Sequence, residues 1–291
     1  MKILHVITGL GVGGAESALY NFLENSVSHS FKFKHFVAYF VYGPNVEKIR
    51  ALGVDVYQIK GIFYRYDFFA YRQLKNLTLE INPDVIHSAL WAANIFCRLI
   101  SKRSGISSVC DVHGNSFHEG KFRNFFDAQT VGYAKKVVAV SDVAKKFYLR
   151  NIVDRNPNKK GCGNLVSKIV TIKNGIDFEK VRFKAASSTP ISRCDYGISK
   201  HDFVVGAVGR LEPIKSYDIL IKAFALACSL VKEKNHAGKR CWSENKGLKL
   251  FIVGGGSEVD FLKRLVKKND ITDEVIFAGQ CPNACKFYQI F

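Results

Sequence analysis

The chain has no apolar run approaching the ~18 residues that a membrane-spanning helix requires. No secretory leader is expected either: only five residues, Ile3 to Ile7, lie between Met1-Lys2 and a Gly-rich turn, too few for a signal core. Eight cysteines are present, but none forms a Cys-x-x-Cys pair. Cys281 and Cys285 are four apart with no matching His or Cys pair at ligand spacing, so ordinary thiols in a reduced, cytoplasmic setting are expected and no metal site. No repeat of solenoid length is visible. Acidic residues are scarce, 25 against 43 Lys and Arg, for a net charge of +18. That surplus attracts polyanions such as anionic headgroups or phosphorylated ligands. The basic residues come in scattered pairs (Lys135–Lys136, Lys145–Lys146, Lys159–Lys160, Lys267–Lys268) with no nucleic-acid-binding motif, so they read as solvated helix faces and nucleic acid is not an expected partner.

What the chain does have is apolar substance, at 47% of its residues, and length enough for two domains. Short β-branched or aromatic runs alternate with amphipathic stretches. Strands are expected at Lys2–Thr8, Phe33–Phe40, Val54–Ile59, Asp84–Ser88, Ser107–Val112, Lys136–Ser141 and Lys168–Lys173. Ala15, Leu19, Phe22 and Leu23 recur at helical spacing after the first Gly-rich turn. Strands apolar on both faces, such as Val137–Val140, belong in a parallel sheet covered by helices on each side. The alternation predicts an α/β fold with doubly wound, Rossmann-like sheets. It loosens over Phe183–Lys200, where Ala-Ala-Ser-Ser-Thr-Pro reads as a linker, dividing the chain into domains at 1–183 and 184–291. A second series follows: strand Phe203–Gly209, helix Tyr217–Val231 with a stripe of Leu220, Ala223, Phe224 and Ala227, strand Leu248–Gly254, helix Glu258–Asn269 and strand Glu274–Gly279. Lys232–Gly247 reads as an exposed basic loop.

Two segments can carry chemistry. Thr8-Gly9-Leu10-Gly11-Val12-Gly13-Gly14-Ala15-Glu16 follows a strand and opens a helix, so its N–H groups converge on an anion site. Gly9, Gly11 and Gly14 match the spacing of a dinucleotide fingerprint, but the second strand ends in Tyr39-Phe40-Val41-Tyr42, with no carboxylate for a ribose. This disfavours a dinucleotide oxidoreductase, and a tight turn that brings helix to sheet accounts for the same glycines. The second segment, Gly209-Arg210-Leu211-Glu212-Pro213-Ile214-Lys215, places two cations after a parallel strand, where open α/β sheets bind ligands. Arg210 can fork two phosphate oxygens and Lys215 adds a point charge, a pairing that suits a diphosphate.

With these in place, the chain resembles the retaining glycosyltransferases of family 4, of two-domain GT-B architecture. Gly13-Gly14-Ala15-Glu16 is similar to the family's N-terminal glycine loop and Asp111-Val112-His113-Gly114 to its strand-end histidine motif. Val140-Ser141-Asp142 and Lys173-Asn174-Gly175-Ile176-Asp177 resemble its next landmarks. Gly209-Arg210-Leu211 with Lys215 resembles its diphosphate clamp, and Phe251-Ile252-Val253-Gly254-Gly255-Gly256 the glycine loop that follows.

The resemblance implies a hexosyltransferase-type enzyme without cofactor or metal, using a nucleotide-sugar donor and a carbohydrate or lipid-linked acceptor. Relatives of this kind build lipopolysaccharide, capsule and glycolipids. His113, Arg210 and Lys215 would be the catalytic residues, with Gly13, Gly14, Glu16, Asn174, Gly254 and Gly255 lining donor and phosphate. Glu16 has a second reading, as an acidic first-turn residue favouring the helix dipole. The loops Gly61–Asp67 and His118–Phe126, aromatic and basic, are candidates for acceptor choice. The charge surplus adds an anionic membrane surface as an expected partner. Ser216 stands where the family commonly has glycine, a change expected to be tolerated. The family's paired donor-binding glutamates are expected beyond Phe291, so the second domain reads as incomplete. Its third strand would leave apolar faces uncovered, and the chain alone would be a weak or inactive transferase; a non-catalytic phosphate-binding protein is the alternative.

Overall fold

The computed structural model describes residues 1–29, 32–61, 68–113, 120–153, 162–186, 191–236, 247–281 and 284–291. They form two compact units, Met1–Ile176 and Asp177–Phe291. The boundary expected at 183/184 falls inside a helix, Phe178–Ala186, that belongs to the second unit.

The first unit is built on seven strands, β1 (Lys2–Gly9), β2 (Lys34–Val41), β3 (Asp55–Gln58), β4 (Val85–Ala89), β5 (Ser107–Val112), β6 (Lys136–Ala139) and β7 (Ile169–Thr171). Each lies within two residues of its expected bounds. They form one sheet in the order β3-β2-β1-β4-β5-β6-β7, parallel throughout. The helices are α1 (Gly14–Ser28), α2 (Asn45–Arg50), α3 (Phe68–Ile81), α4 (Trp91–Ser104), α5 (Gly120–Thr130), α6 (Asp142–Tyr148) and α7 (Cys162–Lys168). Because side chains alternate along a strand, the two faces fill separately. Leu4, Val6, Phe36, Ala38 and Ile86 pack on Tyr71 and Leu74 of α3 and on Phe96, Cys97 and Ile100 of α4. Ile7, Val37 and Tyr39 point the other way, onto Leu19 and Leu23 of α1 and Val46 and Ile49 of α2. Phe22 departs from the expected buried stripe: half its side chain is exposed, and it lies edge-on to His35 at the rim of the core. Arg98 of α4 is wholly buried and paired with Asp127 of α5, and both bond the Tyr148 hydroxyl of α6, at 3.0 and 2.8 Å, so an ion pair and one hydroxyl tie three helices together.

In the second unit, β8 (Phe203–Val208), β9 (Leu248–Val253) and β10 (Val275–Gly279) form a parallel sheet in the order β10-β9-β8. With α8 (Phe178–Ala186), α9 (Tyr217–His236) and α10 (Val259–Lys268), they complete the α/β series expected from the sequence. The helix α9 runs five residues past its expected end at Val231, so Lys232–His236 is helical and not loop; residues 237–246 lie outside the described residues. Its buried stripe is Tyr217, Ile221, Phe224 and Cys228, about a quarter of a turn from the one expected, because these side chains meet Leu250 and Ile252 of β9. The opposite face of the sheet is not bare. Phe287 and Ile290, with Ile198, cover Val204, Phe251 and Val253, and the Phe291 ring occupies the space beside Gly206.

Candidate functional site

In the first unit the parallel arrangement brings the loops after β1, β4, β5 and β7 to one edge of the sheet. The strand order reverses between β1 and β4, and at such a switch point the loops diverge and leave a crevice. The glycine loop after β1 is fixed on one side only. Leu10 N–H donates to Val41 O at 3.1 Å, Asn45 N–H to Leu10 O at 3.1 Å, and the Asn45 amide to Gly11 O at 2.7 Å. Further on, Gly14 has open space where a side chain would stand. Gly13 is the N-cap of α1 and no side chain caps that helix start. The carboxylate of Glu16 lies back over Gly13, in the space a Gly13 side chain would fill. Glu16 therefore faces the positive end of its own helix, as its dipole reading requires. Across the switch point Leu90 holds φ at 73°, a conformation uncommon for a residue with a side chain. Nothing in the sequence pattern marks Leu90.

Two strands along from β1, Asp111 is the penultimate residue of β5, and His113 follows the strand. Asp111 Oδ2 accepts from His87 Nε2 of β4 at 2.9 Å and stands 3.7 Å from His113 Nε2, too far for a hydrogen bond. The Asn94 amide of α4 donates to Asp111 O at 2.9 Å and fixes the strand end. Burial pushes the Asp111 carboxyl up, but the two imidazoles outweigh it and hold the group well below the usual carboxylate range. Gly114 and His118 lie outside the described residues, as do 62–67. Asn174, exposed, follows β7 two strands beyond β5, on the same edge but at the far end of the sheet.

Sequence reasoning missed the partners of this strand end. His5 Nδ1 is 2.9 Å from His87 Nδ1, His5 Nε2 is 3.0 Å from His35 Nδ1, and His35 Nε2 is 2.7 Å from Ser26 Oγ. His5 and His87 are direct neighbours in the β1–β4 register. Burial, then the neighbouring His87 and His35, push the His5 imidazole well below its ordinary range, against a smaller opposing effect of Asp111. A histidine within each of three apolar strands was the available signal, and only the register shows that His5 and His87 meet.

The second unit interlocks two loops. Arg210 follows β8, and Lys215 closes a single turn, Pro213–Lys215; both are exposed. Gly209 N–H donates to Val253 O at 3.0 Å, Leu211 N–H to Gly255 O at 2.9 Å and Glu258 N–H to Leu211 O at 3.0 Å. The Glu212 carboxylate accepts from Ser257 Oγ at 2.8 Å and Ser257 N–H at 3.2 Å; these bonds, with Arg210 nearby, lower its pKa. A Cβ on Gly254 would fall on the carbonyl oxygen of Gly209, and one on Gly256 on that of Leu211. The glycines after β9 thus let one loop lie against the backbone that carries Arg210. Ser216 is left-handed, φ 53°, ψ 40°. Glycine fits there without strain, and serine holds it at a cost of about 1 kcal/mol.

Comparison with known proteins accords with both units. Residues 12–180 match the model of Glycosyltransferase Family 4, and residues 188–290 that of Glycosyl transferases group 1. A D-inositol 3-phosphate glycosyltransferase of Kineococcus radiotolerans is 26% identical over 215 residues, 68% of this chain and 44% of that protein. The chain spans less than half the length of the curated relatives it matches. Anabaena HepE, solved with UDP-glucose, superposes with a TM-score of 0.73 at 18% identity, over 99% of this chain and 71% of HepE. The lipopolysaccharide outer core galactosyltransferase WaaB gives 0.60 at 18% identity, over 99% and 71%. These structures share the fold, two Rossmann-like domains of the GT-B type. With more than half of its residues inside the first family model and the landmark loops in the expected order, the chain belongs to glycosyltransferase family 4.

Proposed function

We propose that this chain carries the donor-binding and part of the acceptor-binding machinery of a retaining glycosyltransferase. In this reading a sugar passes from a nucleoside-diphosphate donor to a carbohydrate or lipid-linked acceptor. The observation that carries it is the interlock in the second unit, where the Gly254–Gly256 loop supports the backbone of Arg210. Arg210 and Lys215, two exposed cations after a parallel strand, face no carboxylate partner in an ion pair among the described residues. They would meet the charge that grows on the diphosphate as the glycosidic bond breaks. Preorganised charge of this kind commonly contributes ~3–4 kcal/mol per well-placed donor. HepE was solved with UDP and UDP-glucose, which makes a uridine diphosphate sugar the first donor to try. Gly13, Gly14, Asn174 and Gly255 are assigned to the approach of phosphate and donor, and His113 to the transferred sugar.

Among the described residues no helix is long and apolar enough to cross a membrane. A lipid-linked acceptor would therefore be met at a surface, and the cations of the 135–150 stretch are the groups assigned to hold the protein there.

The deciding experiment is calorimetric titration of the chain with UDP and GDP, followed by donor hydrolysis and transfer assays with UDP-glucose. Saturable nucleoside-diphosphate binding abolished in the Arg210→Ala, Lys215→Ala double variant supports the reading. Absence of binding by the parent chain overturns it. Binding without hydrolysis or transfer would favour a non-catalytic phosphate-binding protein.

A further inference from the structure

The polar row inside the first unit serves no packing need that apolar residues would not meet better. His5 and His35 are buried on the face of β1 and β2 that otherwise presents Ile7, Val37 and Tyr39, and Ser26 is buried beside them. Buried polar groups of this kind are costly unless every donor finds an acceptor. Ser26, His35, His5, His87 and Asp111 run in that order across α1, β2, β1, β4 and β5, linked by contacts of 2.7, 3.0, 2.9 and 2.9 Å. The ring nitrogens face one another at hydrogen-bond distance, leaving no room for an ion between them. Among the described residues no group of three or more His, Cys, Asp or Glu is arranged to hold a metal.

With neutral rings, one set of protons satisfies every contact, and Asp111 dictates it. An ionised carboxylate only accepts, so His87 must donate from Nε2 and present a bare Nδ1. His5 then donates from Nδ1 to His87, His35 donates from Nδ1 to His5 Nε2, and the Ser26 hydroxyl donates to His35 Nε2. All four links point towards Asp111. The charged and titratable groups acting on the central ring are His87, His35 and Asp111, and Phe22 packs against it from α1.

We propose that this row is a one-directional hydrogen-bond relay and that its last histidine, His87, is the positioning residue for His113. By donating to Asp111 Oδ2, His87 fixes the carboxylate in the plane from which its charge holds the His113 ring, 3.7 Å away, at the strand end. Asp111 is also anchored through its backbone by Asn94, so side chain and main chain are held independently. The inference rests on the reading in which His113 touches the transferred sugar, but its physical core, the direction of the row, can be measured without any substrate.

The test uses the whole chain with 15N-labelled imidazoles; with 8 histidines the long-range 1H–15N correlations are few enough to assign by single substitution. At pH 7.5 the expected pattern is neutral His87 protonated on Nε2, and neutral His5 and His35 protonated on Nδ1. His5→Leu removes the donor to His87 and is expected to mix the His87 tautomers and shift the His113 resonances. His5→Asn, whose amide can still donate from near the Nδ1 position, is expected to restore both. In a transfer assay His5→Leu should lower kcat by about ten- to a hundred-fold, the scale of a small misplacement at a reacting centre, with the donor KM unchanged. The opposite tautomer on His87 or His5, a doubly protonated ring in the row at that pH, or His113 resonances unmoved in His5→Leu would each overturn the relay. The unsubstituted chain alone decides the tautomers should the leucine variant fail to fold. Lack of nucleotide binding would defeat the transferase reading while leaving the tautomer result intact.

Discussion

Replacing Gly254 by alanine should damage the second unit through one atom. The added Cβ falls on the carbonyl oxygen of Gly209, and both partners are backbone, so no side chain can swing away. Forcing a methyl into such a place typically costs about 1–3 kcal/mol. The backbone that must move is stitched down by the bonds from Gly209 N–H to Val253 O, Leu211 N–H to Gly255 O and Glu258 N–H to Leu211 O. Stretching two of them adds about 1 kcal/mol each, for a total of about 3–5 kcal/mol. At roughly 4 °C per kcal/mol for a unit of this size, calorimetric melting should fall by about 12 °C or more. Arg210 sits on the displaced segment, so affinity for UDP should fall with it. The control is Gly14→Ala. Nothing lies within 4 Å of its added Cβ, and Gly14 opens the helix α1, so its melting temperature should hold or rise slightly. Melting of Gly254→Ala within about 2 °C of the parent, with UDP affinity unchanged, would refute the interlock as the support of Arg210.

Three further outcomes are expected. Arg210→Ala and Lys215→Ala should each weaken UDP and GDP binding by ~1.5–3 kcal/mol with melting unchanged, since both side chains are exposed; equal affinities in titration calorimetry would remove the clamp assignment. His5 is held neutral in the folded chain while its unfolded counterpart takes up a proton below about pH 6.5, so stability should be complete above that pH. It should decline as the pH falls towards the depressed folded value, by up to ~1.4 kcal/mol per pH unit, and urea unfolding of His5→Asn should lack this component. Lys135, Lys136, Lys146 and Arg150 are exposed within one short stretch, and each is expected to add ~1 kcal/mol of attraction to an anionic surface. Sedimentation with phosphatidylserine vesicles should therefore show binding at low salt that high salt abolishes, and no pelleting at low salt would disprove it.

The legible parts were those that depend on neighbours in sequence. Every expected strand is present because β-branched runs bounded by Gly, Asn or Pro report burial directly. The six-residue helix α2 escaped because it is too short to show a period. The polarity of Lys232–His236 reads as loop, yet Lys and Glu are good helix formers and α9 continues to His236. The candidate site was legible where glycine marks a backbone need, as at Gly254. It was illegible where partners lie far apart in the chain. Glu212 meets Ser257 across 45 positions, and His5 meets His87 across 82. The landmark histidine, His113, was readable; the row behind it depends on which strands are neighbours, and a lone sequence does not carry that.

The strand order of the first unit also has a consequence for how the chain is made. Of the seven strands β1 is synthesised first, and it comes to lie inside the sheet, with β2 and β3 on one side and β4 to β7 on the other. Each new strand joins a free edge, so no strand has to be threaded between two already paired. The order of synthesis can be the order of assembly. The cost is an interval after β3 emerges at Gln58 and before β4 begins at Val85, when one edge of the apolar β1 has no partner. At ribosomal rates of about 5–20 residues per second that interval lasts on the order of seconds, long compared with non-specific hydrophobic collapse. The nascent chain is most open to mispairing there, and a pause in translation between those two strands would lengthen the exposure.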